Sequence, residues 1–463
     1  MIQNIFRQCR PALFLVLLGT AFFGATAELA GASPLLLGGG ANARDSSELG
    51  LVLDVLSSGR GEVIALQREL VSRPAVGPEN GGAGEEEKAR WIAAWLDGHG
   101  LAYERLDLAD EQVPARVRPN LVAVYPGSGQ GPTLWLLSHL DVAAAGPREL
   151  WNGDPFALRV NGDIMYGRGV EDNNQAITVS LLLLESLRKA GVTPPLRLGL
   201  ALTSGALTDY SGIRHVLAWK PDLFGPDDLI VVMDYGNAAG NLVSVSEKGN
   251  LWLKITVTGK SGHAGNPDKA NNAFAAGAAL AHRLNGLEKQ FPEENPLFTP
   301  PRVTLTPTRT EDFSTGINHI PAKFVLYADI RTTDAYSFDA VENAVRDLAD
   351  AVEKSHGVSI AIERVEQTPS TRITPPDAPV LQALDRSIRA QLGVEPLHTG
   401  GGSVTVAATL REKGLPVAVW GVQETMYNSP EEYSLISAHI KQAQVLARML
   451  FEAGVAIGGK GGK

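Results

Sequence analysis

An apolar run, TLWLLSHLDV, ends in His139-Leu140-Asp141; downstream, YGRGVEDNNQ carries Asp172, and further on IVVMDYG carries Asp234. Imidazole nitrogen and carboxylate oxygen are the ligands that a borderline divalent ion such as zinc takes. A carboxylate next to a ligating histidine can also orient its ring and raise its basicity. A plainer reading stands beside this one. Aspartate at a strand end hydrogen-bonds locally and caps a turn, with no metal involved.

The elements that must position these groups alternate along the chain. EEEKARWIAAWLDGHG (85–100) has helical spacing, with Ala89, Ile92, Ala93 and Leu96 on one side, acidic residues at its start and glycines at its end. RPNLVAVYPG and PTLWLLSHLDV read as strands, ITVSLLLLESLRKAG (177–191) as a buried helix, and PLRLGLALTSG and DDLIVVMDYG again as strands. Strands alternating with helices predict an α/β domain with a mostly parallel sheet and helices on both faces. His139 and Asp141 then stand at the carboxyl end of a strand, where open sheets of this kind bind ligands. The pattern changes in NLWLKITVTGK (250–260), AKFVLYADIRT (322–332) and GVSIAIERVE (357–366), which alternate apolar and polar residues as half-exposed antiparallel strands do. With helices near 268–287 and 336–355 they predict a two-layer α+β unit inserted into the larger domain. Helices are expected again at 378–393 and 435–454, with the glycine turn TGGGS and the strand PVAVWG between them.

Composition bounds the rest. The 463 residues are 44% hydrophobic and 20% charged, enough for a sizeable core, and the net charge of −10 argues against nucleic acid and anionic membrane surfaces as partners. Residues 1–27 read as a signal peptide: a short basic start, an apolar stretch, and Ala25-Thr26-Ala27 as a cleavage site. An exported protein, periplasmic or extracellular, is therefore expected. Cys9 is the only cysteine and lies in that leader, so any metal must be held by nitrogen and oxygen ligands. Residues 28–45 read as a linker and 456–463, with GGKGGK, as a disordered tail. The domain parts are then 46–249, the insertion 250–367, and 368–455.

From about residue 46 to 455 the chain resembles metallopeptidase family twenty, which includes glutamate carboxypeptidases, aminoacylases, acetylornithine deacetylases and succinyl-diaminopimelate desuccinylases. The resemblance is carried by RPNLVAVYPG, SHLDV, DPFALRVNGDIMYGRGVEDNNQ, KGNLWLKITVTGKSGHAGNPDKANNA, INHIP, ADIR, TGGGSVTVA and NSPEEY, in one order. It implies a zinc-exopeptidase-like catalytic domain with an inserted lid or dimerisation domain, and a homodimer formed through that insertion. It also implies that His139, Asp172 and Asp234 hold one zinc ion and that Asp141 orients His139. Asp172 is the residue that the family often joins to its successor by an unusual peptide bond.

The same resemblance expects two adjacent glutamates after the next strand, one as general base and one as a ligand of a second metal. Here LGLALTSGALTDYSGI places Gly205, Ala206 and Leu207 there. It expects a histidine before the late S-P-x-E-Y turn, where Asn428 stands. His263 resembles the insertion's histidine that reaches a neighbouring subunit's site and steadies an oxyanion. Asn318 and Arg331 resemble residues that bind a substrate carboxylate, a task to which the arginine fork is suited. Arg331 also fits a solvated strand charge. Gly401 and Gly402, with Gly400, can bring backbone amides near a ligand, or simply make a tight turn. The activity implied is hydrolysis of an amide bond in a small peptide or N-acyl amino acid by metal-activated water, with Asp209 or Glu424 as substitute base. The alternatives are a degenerate homologue that binds such a ligand or partners an active relative, and a structural dimer with a vestigial cleft.

Overall fold

Uninterrupted apolar runs form the central sheet. Residues Thr133–His139 are buried along their whole length, as are Leu229–Val232 and Val417–Val419, the signature of strands covered on both faces. The computed structural model describes residues 42–311 and 316–458. Its main sheet has eight strands in the spatial order Tyr103–Ala109, Val117–Tyr125, Arg197–Thr203, Thr133–His139, Leu229–Val232, Val417–Val419, Leu242–Glu247 and Leu397–Gly401. The middle four run parallel. The first two add on as antiparallel strands, and the last two, parallel to each other, run against Val417–Val419.

Period-two alternation in the central strand separates two cores. Leu134 and Leu136 enter a cluster with Leu66, Leu96, Leu181 and Leu446 from the helices Arg60–Val71, Glu86–Gly98, Asn174–Ala190 and Ile436–Gly458. Trp135 and Leu137 enter a second cluster with Ile213 and Leu217 from Ser211–Trp219 and with Leu410 from Ala407–Glu412. Helices thus cover both faces.

Strand Gly249–Thr258 alternates buried and half-buried residues. It lies inside a four-stranded antiparallel sheet in the order Thr304–Glu311, Lys323–Thr332, Gly249–Thr258, Ser359–Thr368. Helices Ala273–Leu284 and Phe338–His356 pack their apolar residues with this sheet in a third cluster. Side-chain caps start both helices, Asn272 accepting from the Ala275 amide and Ser337 from the Ala340 amide.

Two boundary expectations change. A helix begins at Asn42, so residues 42–45 are helical and not linker. The last helix runs to Gly458, the first of the pair Gly458-Gly459, so residues 456–458 do not belong to the tail. The leader 1–27, the remainder of the linker and residues 459–463 lie outside the described residues.

His439, on the last helix, is buried. Its Nε2 lies 2.8 Å from Gln67 Nε2 and its Nδ1 2.8 Å from the Leu435 carbonyl. Burial pushes its pKa down to about 4, against the Leu435 carbonyl and Asp163, which act to raise it. The folded imidazole is therefore neutral, while the unfolded one protonates near its ordinary value. Its contribution to stability is complete above that ordinary value and is lost as the pH falls toward the folded pKa. Relative to His439→Gln, the wild-type chain is expected to lose about 3 kcal/mol of unfolding free energy between about pH 7 and about pH 4. Denaturant titrations of both proteins at each pH measure the difference.

Candidate metal centre

Register brings the ligands together. Leu137 pairs with Val232 in adjacent parallel strands, and His139 and Asp234 each stand two residues further on. On its other side His139 pairs with Thr203, so the turn at 204–207 opens beside it. Asp172 comes from the loop before helix Asn174–Ala190. Asn173 ties the three together: its Oδ1 accepts from the His139 amide at 3.1 Å, and its Nδ2 donates to the Met233 carbonyl at 2.8 Å and to Asp234 Oδ1 at 3.3 Å. The Asp172–Asn173 peptide is cis.

His139 is 2% exposed. Its Nδ1 lies 3.0 Å from the Asp141 carbonyl and 3.3 Å from Asp141 Oδ1. Its Nε2 faces Asp172 Oδ1 at 3.1 Å and Asp234 Oδ1 at 3.7 Å. Burial opposes protonation of the ring, but Asp141, then Asp172 and Asp234, outweigh it and hold the pKa well above the ordinary value. Burial raises the Asp234 carboxyl, with His139 opposing. Among the described residues, His139, Asp172 and Asp234 are the one group of such side chains whose ligand atoms converge, all within 4.8 Å of one another. Asp172 Oδ1 is buried and, despite its closeness to the ring, receives no hydrogen bond of acceptable geometry. An orphaned carboxylate oxygen facing an imidazole whose other nitrogen is already engaged fits a metal ion.

The 205–207 turn faces the same site differently. The Ala206 amide donates to Asp141 Oδ1 at 3.2 Å and the Leu207 amide to Oδ2 at 2.8 Å. Gly205 has φ +69°, and a Cβ there would lie 2.8 Å from Ser211 Oγ. Ala206 belongs to the apolar cluster with Tyr210, Ile213 and Val404. The turn thus gives amides to Asp141 and no carboxylate to the site. Asp209 is exposed and accepts from the Ser211 amide at 3.0 Å, at the start of the Ser211–Trp219 helix. Asn428 is exposed in the left-handed region, φ 62°. Glu424 is half-buried, and its amide donates to Glu171.

A ring of buried charges that sequence reasoning missed supports the ligands. Glu432 accepts from the amides of Gly169, Glu171 and Asp172 at 3.0, 2.9 and 3.0 Å, and from Arg168 Nη1 at 2.7 Å. Glu171 accepts from the amides of Glu424, Thr425 and Met426. Burial pushes its pKa up to about 7 against those amides. Glu85 pairs with Arg118, both buried, and also accepts from the Gly205 amide at 3.3 Å. Burial pushes the Lys88 amine down to about 7, with Asp141 and Glu85 opposing. Glu432 stood inside the NSPEEY motif, and Lys88 shares the helical face of Ile92 and Leu96. Those were the available signals.

The remaining candidates lie elsewhere in the fold. His263 pairs with His319 across a two-residue ribbon, is exposed, and has Nε2 3.3 Å from the Asn318 side-chain Nδ2. The Arg331 fork is engaged by Asp329 at 2.6 and 2.7 Å. The Gly401 amide is committed to Ser244 Oγ at 3.0 Å and the Gly400 amide to the Leu297 carbonyl at 2.6 Å. What approaches Gly400 closely is Phe298, 2.2 Å from the position a Cβ would take, and Gly402 beside it is half-buried. Lys248, also missed, is buried with Nζ 2.5 Å from the Arg302 carbonyl. Burial, Arg302 and Arg331 push its amine down to about 8.

A parallel sheet with a His-Asp-Asp cluster at its carboxyl end and an inserted antiparallel unit defines a metallohydrolase type of protein. Comparisons with known proteins agree. Residues 245–357 match the peptidase dimerisation domain family. An uncharacterized metallohydrolase of Methanococcus maripaludis is 32% identical over 418 residues, covering 84% of this chain and 98% of that one. The succinyl-diaminopimelate desuccinylase of Dinoroseobacter shibae is 29% identical over 389 residues, covering 83% and 96%. The crystal structure of human carnosine dipeptidase 1 shares the fold with a TM-score of 0.74 at 17% identity, covering 88% and 100%. This chain belongs to the M20 family of metallohydrolases and peptidases.

Asp141→Asn keeps the backbone carbonyl at His139 Nδ1 but removes the charge of the carboxylate that lies beside that nitrogen and accepts the turn amides. If the cluster holds a divalent metal, Asp141→Asn is expected to weaken its binding about ten- to hundredfold, and His139→Ala to abolish it. Competition with a chromophoric chelator measures both, and an unchanged affinity in Asp141→Asn would remove its orienting role.

Proposed function

We propose that this chain holds one divalent cation, zinc by its ligand set, at His139, Asp172 and Asp234, and acts there on the amide bond of a small peptide or N-acyl amino acid. The observation that carries the reading is the convergence of His139 Nε2 and the two carboxylates around a buried Asp172 oxygen that receives no hydrogen bond. A bound ion would supply Lewis acidity toward the amide carbonyl. The chain's residues do the rest. Asp141 fixes the His139 ring, and Asn173 fixes the backbone of both neighbouring strands. His263 and Asn318, exposed on the inserted unit, are available to a second copy. The match to a dimerisation domain supports a homodimer. The leader at 1–27 supports export to the periplasm or beyond.

A second reading is favoured by the 205–207 turn: ligand binding without turnover. Gly205, Ala206 and Leu207 cannot accept a proton from water, Asn428 is a poor ligand beside imidazole, and Asp209 is occupied by a helix terminus. Loss of a general base costs about two to four orders of magnitude in rate.

Metal analysis of the purified protein, with amino-acid release from a panel of dipeptides and N-acyl amino acids, tests both readings. One zinc ion per chain is expected. Turnover should lie about a hundredfold or more below that of family members that keep the acidic pair, and His139→Ala should remove both metal and turnover. No bound zinc would overturn the metal assignment. Two ions per chain with rapid turnover would overturn the second reading, and bound ligand with no turnover the first.

A further inference from the structure

Lys88 lies in helix Glu86–Gly98 on the face that carries Ile92 and Leu96 into the core, and it is 1% exposed. Its Nζ donates to the Leu140 carbonyl at 2.9 Å and to Asn174 Oδ1 at 2.9 Å. Both acceptors are neutral, an unusual way to hold a buried ammonium, which ordinarily needs a paired carboxylate. The acceptors share one property. Leu140 stands between His139 and Asp141, and Asn174 stands two residues after Asp172. The carboxylates that surround the amine at longer range are Asp141, Glu85, Glu432 and Asp172.

We propose that Lys88 is a positioning residue for the metal centre: its ammonium ties the turn carrying His139 and Asp141 to the loop carrying Asp172, and so sets the distance between ligands. The inference rests on the one-metal reading above. The alternative is that Lys88 only fills space beneath the helix. A methionine keeps its length and apolar stem but removes donor and charge, leaving Leu140 and Asn174 without their partner. A glutamine keeps a neutral donor. Val345→Ala, in the core of the inserted unit, lowers stability without touching either loop and serves as the control.

The experiment titrates full-length wild type, Lys88→Met, Lys88→Gln and Val345→Ala with zinc against a competing chelator, and records the d–d absorption of each with cobalt in place of zinc. Lys88→Met is expected to weaken zinc binding about ten- to hundredfold and to change the cobalt spectrum, which reports ligand geometry. Lys88→Gln should fall between it and wild type. Val345→Ala should melt at a lower temperature with wild-type affinity and spectrum. Wild-type affinity and spectrum in Lys88→Met overturn the inference while leaving the one-metal reading intact. If Lys88→Met does not fold, Lys88→Gln decides by the same two readouts. An equal loss of affinity in Val345→Ala assigns the effect to general destabilisation and also overturns the inference. A wild-type chain that takes up no metal overturns the reading and the inference together.

Discussion

Six carboxylates gather at the carboxyl end of the central strands, and burial makes each of them costly unless something neutralises it. The fold answers for four. Glu85 has Arg118, Glu432 has Arg168 and three amides, Glu171 has three amides, and Asp141 has His139 and two amides. Asp172 and Asp234 differ. Asp172 gives its one orphaned oxygen to the space before His139 Nε2, and Asp234 Oδ1 faces the same nitrogen. The residual negative charge is therefore localised, and it is localised where three ligand atoms converge. Charge compensation, with the buried Lys88 amine as the nearest further cation, marks this point as the candidate cation site.

That distribution also explains the turn at 205–207. A pair of glutamates there would add charge to a region that already has more carboxylates than protein cations, and only a second ion could balance them. This chain instead spends the turn on two amides for Asp141, and Ala206 packs with Tyr210 and Val404. The Gly205 conformation and its contact with Ser211 fit a turn with little room for a longer side chain. The changed turn and the exposed Asn428 leave His139, Asp172 and Asp234 as the one converging set of candidate ligands among the described residues.

Residue types and spacing revealed much of the frame. Uninterrupted apolar runs became strands buried on both faces, and alternating runs became the half-exposed sheet of the insertion, because burial dictates those patterns locally. His139, Asp172 and Asp234 were legible as candidate ligands, and the fold brings them together from two strand ends and the loop before a helix. The supporting charges were not, since their partners are far away in sequence. Glu432 reaches the Asp172 amide across 260 positions, and Glu171 holds a loop more than 250 positions on. Lys88, in a run of charged residues at a helix start, looks solvent-exposed until its spacing from Ile92 and Leu96 is counted. The glycines at 400–402 suggested amides aimed at a ligand. Two of those amides are instead used inside the sheet and by the 297–299 segment, which no local pattern announces.

The junction between sheet and insertion is tied at one buried residue. Glu247 ends a strand of the main sheet, and its carboxylate is held by Thr405 Oγ1 and by Arg411, 3.2 Å away. Its backbone is bonded in both directions to Thr371, on the segment returning from the insertion. The outgoing and returning chains are thus tied at one buried residue. The next residue is Lys248, whose amine turns toward Arg302 of the inserted unit. A single peptide step therefore separates the carboxylate at this tie from a buried amine that reaches into the inserted unit.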